Sequence, residues 1–228
     1  MSRTAPAWLN RPVTDFVELV RRWQAGWSAS RGWTRVVDED GILSVRVGQD
    51  DRPTEFVVLD PDGHPERLER AADLAFESRS TAWVTLATAD REATEERLMD
   101  LGLDVEREPE WLMTIELAQQ PSLQLHSRYA LVSELEENVI VTRATLHGAV
   151  AASGRMAVVG TDAVADRIET EPAHRRRGLG SAVMSALVEA AEARGATRGI
   201  LIAPRDGQRL YRSLGWRKVA DIVVARAR

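Results

Sequence analysis

Three arginines and two glycines, Arg175-Arg176-Arg177-Gly178-Leu179-Gly180, stand where a strand-like segment ending at Pro172 gives way to a long helical pattern from Gly178 to Arg194. Glycine lets backbone N–H groups approach a ligand closely, a helix N-terminus adds partial positive charge, and guanidinium groups add full charges. That is the chemistry of a polyanion site. The elements that hold it are legible on either side. Leu179, Val183, Leu187 and Ala190/Ala191 share one face of the helix and Gly195 stops it. Then come a short apolar strand, Ile200–Ile202, a short helix from an Asp206 N-cap to Leu214 with Gly215 as its stop, and a last strand, Val219–Ala225. The continuous apolar run of that last strand fits burial on both faces.

Upstream of the loop, strands are expected at Tyr129–Leu135, Val139–Leu146, Gly148–Ala152, Met156–Gly160 and Ala163–Thr170, with Ser153-Gly154 read as a turn. The first half begins with a helix over Val13–Ser30, where Phe16, Val20, Trp23 and Trp27 form an apolar stripe whose tryptophans read as packing. Strands Ile42–Val47 and Glu55–Leu59 suggest a hairpin. A helix from Pro65 to Glu77, a strand Ala82–Thr88, an Asp90-capped helix to Leu101 and a strand Trp111–Leu117 complete it, and Ala118–Ser122 is the best linker. The two halves thus repeat one order: helix, apolar strand, short helix ending Leu-Gly, strands. Aligning Leu101-Gly102-Leu103 with Leu214-Gly215-Trp216 sets Leu98 opposite Tyr211, and nothing like Arg175–Gly180 occurs in the first half. The pattern reads as a duplication, residues 1–120 and 121–228, whose first copy has lost its chemical residues.

The chain has 228 residues, enough for one large domain or two small ones. With no cysteine there is neither a disulfide framework nor a Cys-ligated metal site. Thirty basic against 35 acidic residues give a net charge of −5, which offers no general attraction to nucleic acid or to an anionic membrane. The arginine triplet also lacks the interleaved aromatics of a nucleic-acid contact. No apolar run approaches the length of a membrane span and no apolar leader follows Met1, so the expected address is the cytoplasm.

The run Ile168-Glu169-Thr170-Glu171-Pro172-Ala173-His174-Arg175-Arg176-Arg177-Gly178-Leu179-Gly180 resembles the signature of the GNAT superfamily of acyl-CoA-dependent N-acyltransferases. Leu210-Tyr211-Arg212-Ser213-Leu214-Gly215-Trp216 resembles that family's second motif. The resemblance covers Tyr129 to the C-terminus, with a degenerate echo over the first half. It implies an α/β (α+β) fold, a mixed sheet flanked by helices in two tandem GNAT-like halves, in which two strands splay to hold the pantetheine arm of acetyl-CoA. No metal is implied.

On that resemblance the backbone of Ile168, Glu169 and Thr170 pairs with the pantetheine and polarises the thioester carbonyl. Residues Arg175, Arg176, Arg177, Gly178, Leu179, Gly180 and Ser181 hold the pyrophosphate, the two glycines because a Cβ would crowd it. Tyr211 stands beside the sulfur as proton donor to the leaving thiolate. Along the strand into the signature, Asp162, Val164, Asp166, Ile168 and Thr170 share a face by alternation, which makes Asp166 the choice of general base. The acceptor is an amine on a small molecule or peptide. Pro204 stands where the family often has an asparagine, and Gly207 where it has a small residue. Only about a dozen residues separate Tyr129–Leu135 from Gly148, too few for the family's two acceptor-wall helices. The wall is therefore expected from the first half or from the second subunit of a homodimer. The rival reading is a non-catalytic acyl-CoA-binding module.

Overall fold

Antiparallel ladders need only short turns, whereas parallel ones need a crossover helix, and this chain uses both in a single mixed sheet. The computed structural model describes residues 16–123 and 128–227, without the side chain of Phe16. In chain order these form α1 (Phe16–Arg31), β1 (Val36–Glu39), β2 (Ile42–Arg46), β3 (Thr54–Val58), α2 (Glu66–Glu77), β4 (Ala82–Thr88), α3 (Arg91–Asp100), β5 (Asp104–Val105) and β6 (Glu110–Glu116). There follow β7 (Ala130–Glu136), β8 (Val139–Leu146), β9 (Ala149–Val159), β10 (Asp162–Thr170), α4 (Leu179–Glu192), β11 (Arg198–Pro204), α5 (Arg205–Ser213) and β12 (Arg217–Ala227). Residues Val13 to Asp15 of the expected first helix lie outside the described residues.

The strands follow the order β1-β2-β3-β4-β12-β6-β11-β10-β9-β8-β7, with β5 paired to β12. Two parallel pairs, β3 with β4 and β10 with β11, are each joined by a crossover helix, α2 and α4. Between them the last strand of each half pairs with a strand of the other half. β12 lies along β4, β6 lies along β11, and the two pair with each other at the centre. The boundary near residue 120 divides the sequence but not the sheet. The segment read as a linker is also built in: Leu117–Gln119 is a 3-10 turn, and Gln120 accepts a hydrogen bond from Trp216 Nε1 at 2.7 Å.

One face of the sheet carries α2 and α3 over one half and α4 over the other; the opposite face carries α1. The α1 stripe explains its own placement: Leu19, Val20 and Trp23 are buried against Val45, Val57, Val164, Ile200 and Ile222. A helix advances about 6 Å in four residues and a strand about 6.6 Å in two, so equivalent positions keep step. Arg22, Gly26 and Ser30 accordingly meet Asp162, Val164 and Asp166 of β10. A Cβ on Gly26 would overlap the Val164 side chain, so glycine sets how closely α1 crosses β10.

Three local expectations are corrected. Ser153-Gly154 is not a turn but the middle of the continuous β9; Gly154 is glycine because a Cβ there would lie 2.5 Å from Ile168 Cδ1 and 2.9 Å from Val183 Cγ1 beneath α4. Asp206 does not cap α5, which starts one residue earlier behind Pro204 with no side-chain cap, whereas Asp90 does cap α3 by accepting from Ala93 N at 3.2 Å. Asp166 and Ile168 do not share a face. A bulge between Asp166 and Glu169, with Arg167 at φ +51°, sends Asp166 toward α1 and Ile168 toward α4.

Candidate active site

β10 and β11 pair only from Asp162–Val164 with Arg198–Ile200. Beyond that β11 stays bonded to β6 along its length, while the bulge turns β10 away, and the strands part. The gap opens into a cleft of about 1390 Å³. The edge of Ala165–Thr170 that faces β11 is unpaired, apart from the Thr170 carbonyl, which accepts from Arg175 Nε at 3.2 Å. Ile168, Glu169 and Thr170 all line the cleft, so their backbone is available for strand-like pairing with an extended ligand.

At one end of the gap, α4 starts from a left-handed turn with Arg176 at φ +62° and Gly178 at φ +76°. Glycine is required at 178 by its backbone; a Cβ there would meet nothing within 4 Å. A Cβ on Gly180 would lie 3.0 Å from Leu210 Cδ2, so that glycine answers to α5 packing. Ala182 N is the first α4 amide bonded back, to Gly178 O at 3.0 Å. Among the described residues the N–H groups of Arg176 to Ser181 have no protein acceptor, and no side chain caps the helix. These orphan donors, exposed Arg175 and Arg176, and the extended edge of β10 fit a pyrophosphate followed by a pantetheine arm. Arg176, Gly178, Leu179, Gly180 and Ser181 line the cleft. The Arg177 side chain turns away, donating to Tyr129 Oη at 3.1 Å, and Tyr129 Oη also meets His174 Nδ1 at 3.1 Å. Only the Arg177 backbone remains for the cleft. Tyr129 was not singled out in the sequence; no motif marks it.

At the other end stands Tyr211, 6% exposed, projecting from α5 into the gap. A Cβ on Gly207 would lie 2.9 Å from the Tyr211 ring, which is why the small residue one turn earlier is needed. Burial, and secondarily the Asp166 carboxylate, push the Tyr211 hydroxyl far above the ordinary tyrosine range, so it keeps its proton. Asp166 also lines the cleft, but its carboxylate is committed: Arg31 donates to both oxygens at 2.5 and 2.9 Å, and Ser30 Oγ adds a third bond at 2.9 Å. The residue chosen as base therefore fastens α1 to β10 in this structure.

The cleft continues onto the α1 side of the sheet, where residues from the first half of the same chain line it. Trp23 and Trp27 line it, stacked with centroids 4.8 Å apart. Glu55, fully buried, is held by Arg52 through bonds of 2.6 and 2.7 Å, and Arg52 also reaches Thr85 Oγ1 at 3.2 Å. Glu110, at the start of β6 opposite Pro204, lines the same wall. Burial raises its carboxyl above the ordinary range, Arg52 lowers it, Glu55 raises it again and Arg91 lowers it. Sequence reading missed Glu110 because nothing local reports that β6 lies beside β11.

Residues 131–218 match the family model described as Acetyltransferase (GNAT) domain. No curated protein matches the sequence. Among solved structures, the chain is similar to a GCN5-related N-acetyltransferase from Kribbella flavida, with 17% identity, a TM-score of 0.69, and coverage of 92% of this chain and 94% of that one. It is also similar to a tandem GNAT protein from the clavulanic acid biosynthesis pathway, with 12% identity, a TM-score of 0.60, and 84% and 81% coverage. A GCN5-related N-acetyltransferase from Sphaerobacter thermophilus matches with 13% identity, a TM-score of 0.58, and 82% and 76% coverage. The splayed strands, the open helix N-terminus and the buried tyrosine thus lie in the segment that matches a GNAT acetyltransferase family model, residues 131–218, within a sheet and helix arrangement similar to that of GNAT structures.

Proposed function

We propose that this protein transfers an acetyl group from acetyl-CoA to a primary amine by direct attack on the thioester, at one live site between β10 and β11. The observation that carries this reading is the parting of those strands, with unbonded amide donors at one end and a protonated tyrosine at the other. The N–H groups of Arg176–Ser181 hold the pyrophosphate and the open edge of Ala165–Thr170 aligns the pantetheine. As the amine nitrogen bonds to the carbonyl carbon, the C–S bond breaks and Tyr211 gives its proton to the departing sulfur. A thiol already leaves tolerably, with a pKa of about 8.5, so the acid contributes no more than about 10²–10³ in rate.

The first half supports a single live site. β3 and β4 stay paired from Thr54–Val58 with Ala82–Leu86, with no matching splay. Where the second half holds its anion loop, Asp62 accepts from Thr88 Oγ1 at 2.6 Å and from Ala89 N at 2.9 Å, and Glu66 adds negative charge in the first turn of α2. We read residues 1–120 as a GNAT-like half that has lost the cofactor and now walls the acceptor. A non-catalytic acyl-CoA-binding module is the second reading, favoured by the commitment of Asp166 to Arg31; the retained Tyr211 favours the enzyme, because a pure binder gains little from an acid at the sulfur.

The test is a thermal melt with acetyl-CoA paired with thiol release in the presence of amines. At 100 times the dissociation constant, acetyl-CoA should stabilise the fold by about 2.7 kcal/mol. Gly178→Asp, which strains the left-handed turn and places negative charge at the phosphate, should lose that shift. No shift in the wild type contradicts the cofactor assignment; a shift without thiol release for any amine supports the module.

A further inference from the structure

An alkylammonium, with a pKa of about 10.4, must lose a proton before its nitrogen can attack. The carboxylates around the cleft differ in what they are free to do. Asp166 and Glu55 have both oxygens held by Arg31 and Arg52, while Glu169, Glu171 and Asp206 are exposed at the rim. Glu110 is half-buried in the α1-side wall, and among the described residues no hydrogen bond or ion pair reaches its carboxylate; the Arg91 bond at 3.0 Å goes to its backbone carbonyl. It is anchored on both flanks, opposite Pro204 of β11 and Ile222 of β12. Its position on the wall is therefore fixed by two ladders.

We propose that Glu110 takes up the proton of the acceptor ammonium, and that the chamber around it selects primary amines with no carboxylate beside the nitrogen. This rests on the acyl-transfer reading. The charges at this end of the cleft support the selectivity: Arg31 is bonded to Asp166 and Arg52 to Glu55, while Glu110 feels Arg52 and Arg91 without a bond from either to its carboxylate. The Trp23–Trp27 stack gives the same end an aromatic wall suited to a cation. An amino acid would bring its carboxylate toward Asp166, Glu55 and Glu110, where Arg31 and Arg52 already bond the first two. In the transfer the ammonium gives one proton to Glu110, and the free lone pair forms the N–C bond as C–S breaks. The nitrogen's second proton replaces the one Tyr211 gives to sulfur, and Glu110 returns its proton to solvent, so one proton is released per turnover. Desolvation helps by making Glu110 a better base than an ordinary carboxylate. The charged groups that face it are Arg52 and Glu55 from the β3 side and Arg91 from α3. Arg205 of α5, also on the cleft, lies 3.8 Å from Glu108.

The experiment measures thiol release from acetyl-CoA with matched pairs: tyramine and tyrosine, tryptamine and tryptophan, pentylamine and norleucine. The amine of each pair should be the better acceptor. With the best amine, Glu110→Gln should lower kcat by about 10² or more and abolish the acid limb of the pH profile, while Glu110→Asp retains the limb and part of the rate. Preference for the amino acids, or a Glu110→Gln enzyme with wild-type kcat and an unchanged limb, overturns the assignment but leaves acyl transfer standing. No thiol release from wild type with any of the six removes the transfer reading for this class of acceptor, and the Glu110 assignment with it.

Discussion

A hydroxyl that is to give a proton must first keep one, and the burial of Tyr211 beside Asp166 ensures that it does. Tyr211→Phe should leave the fold and the acetyl-CoA-induced melting shift unchanged while lowering kcat by about 10–10³. Steady-state kinetics beside melts checks this, and unchanged turnover would make Tyr211 a packing residue. Glu110 offers a test that needs no acceptor. Its carboxyl is raised in the folded state, so its contribution to stability is fully present below the unfolded value of about 4.3 and is lost as pH rises through the folded value. Glu110→Gln should therefore melt above wild type at pH 8, with the gap closing toward pH 4. Residues marked by a local motif, such as Tyr211 and Gly178, were legible in the sequence. The partner that engages Asp166 lies 135 residues away, and Glu110 reaches the cleft only through strand order, so neither could be read along the chain.

Helix α1 is held to β10 by matched spacing, and its contacts couple the two halves of the sequence. Arg31→Ala should cost about 3 kcal/mol or more in urea unfolding, because it leaves a mostly buried Asp166 carboxylate without its cation. Adding Asp166→Asn should recover much of that loss, since no lone charge then remains. An additive double mutant would show that the pair does not interact. The periodicity of α1, α2, α4 and most strands was readable because apolar side chains repeat with the element's own period. What broke the reading was tertiary. Gly154 imitates a turn residue but answers to α4, and the β10 bulge reverses the alternation that had placed Ile168 beside Asp166.

Across the whole molecule, β6 and β12 join the two halves of the sequence into one sheet, since β12 lies along β4 and β6 along β11. A fragment of residues 122–228 keeps the signature but loses β6, the strand that flanks both β11 and β12, along with α1 over β10. It should be insoluble or unfolded alone and recover when co-expressed with residues 1–121; a folded, active fragment would contradict this architecture. The strands β6 and β12 were legible, but their neighbours were not, because their apolar runs suit either side of the sheet. The single cofactor site is tested most directly by amide hydrogen exchange of the full chain with and without acetyl-CoA. Exchange should slow at Arg176–Ser181 and along Ala165–Thr170, and should not change at the start of α2, residues 65–69. No protection at Arg176–Ser181, or protection at α2 in its place, would contradict a single cofactor site between β10 and β11.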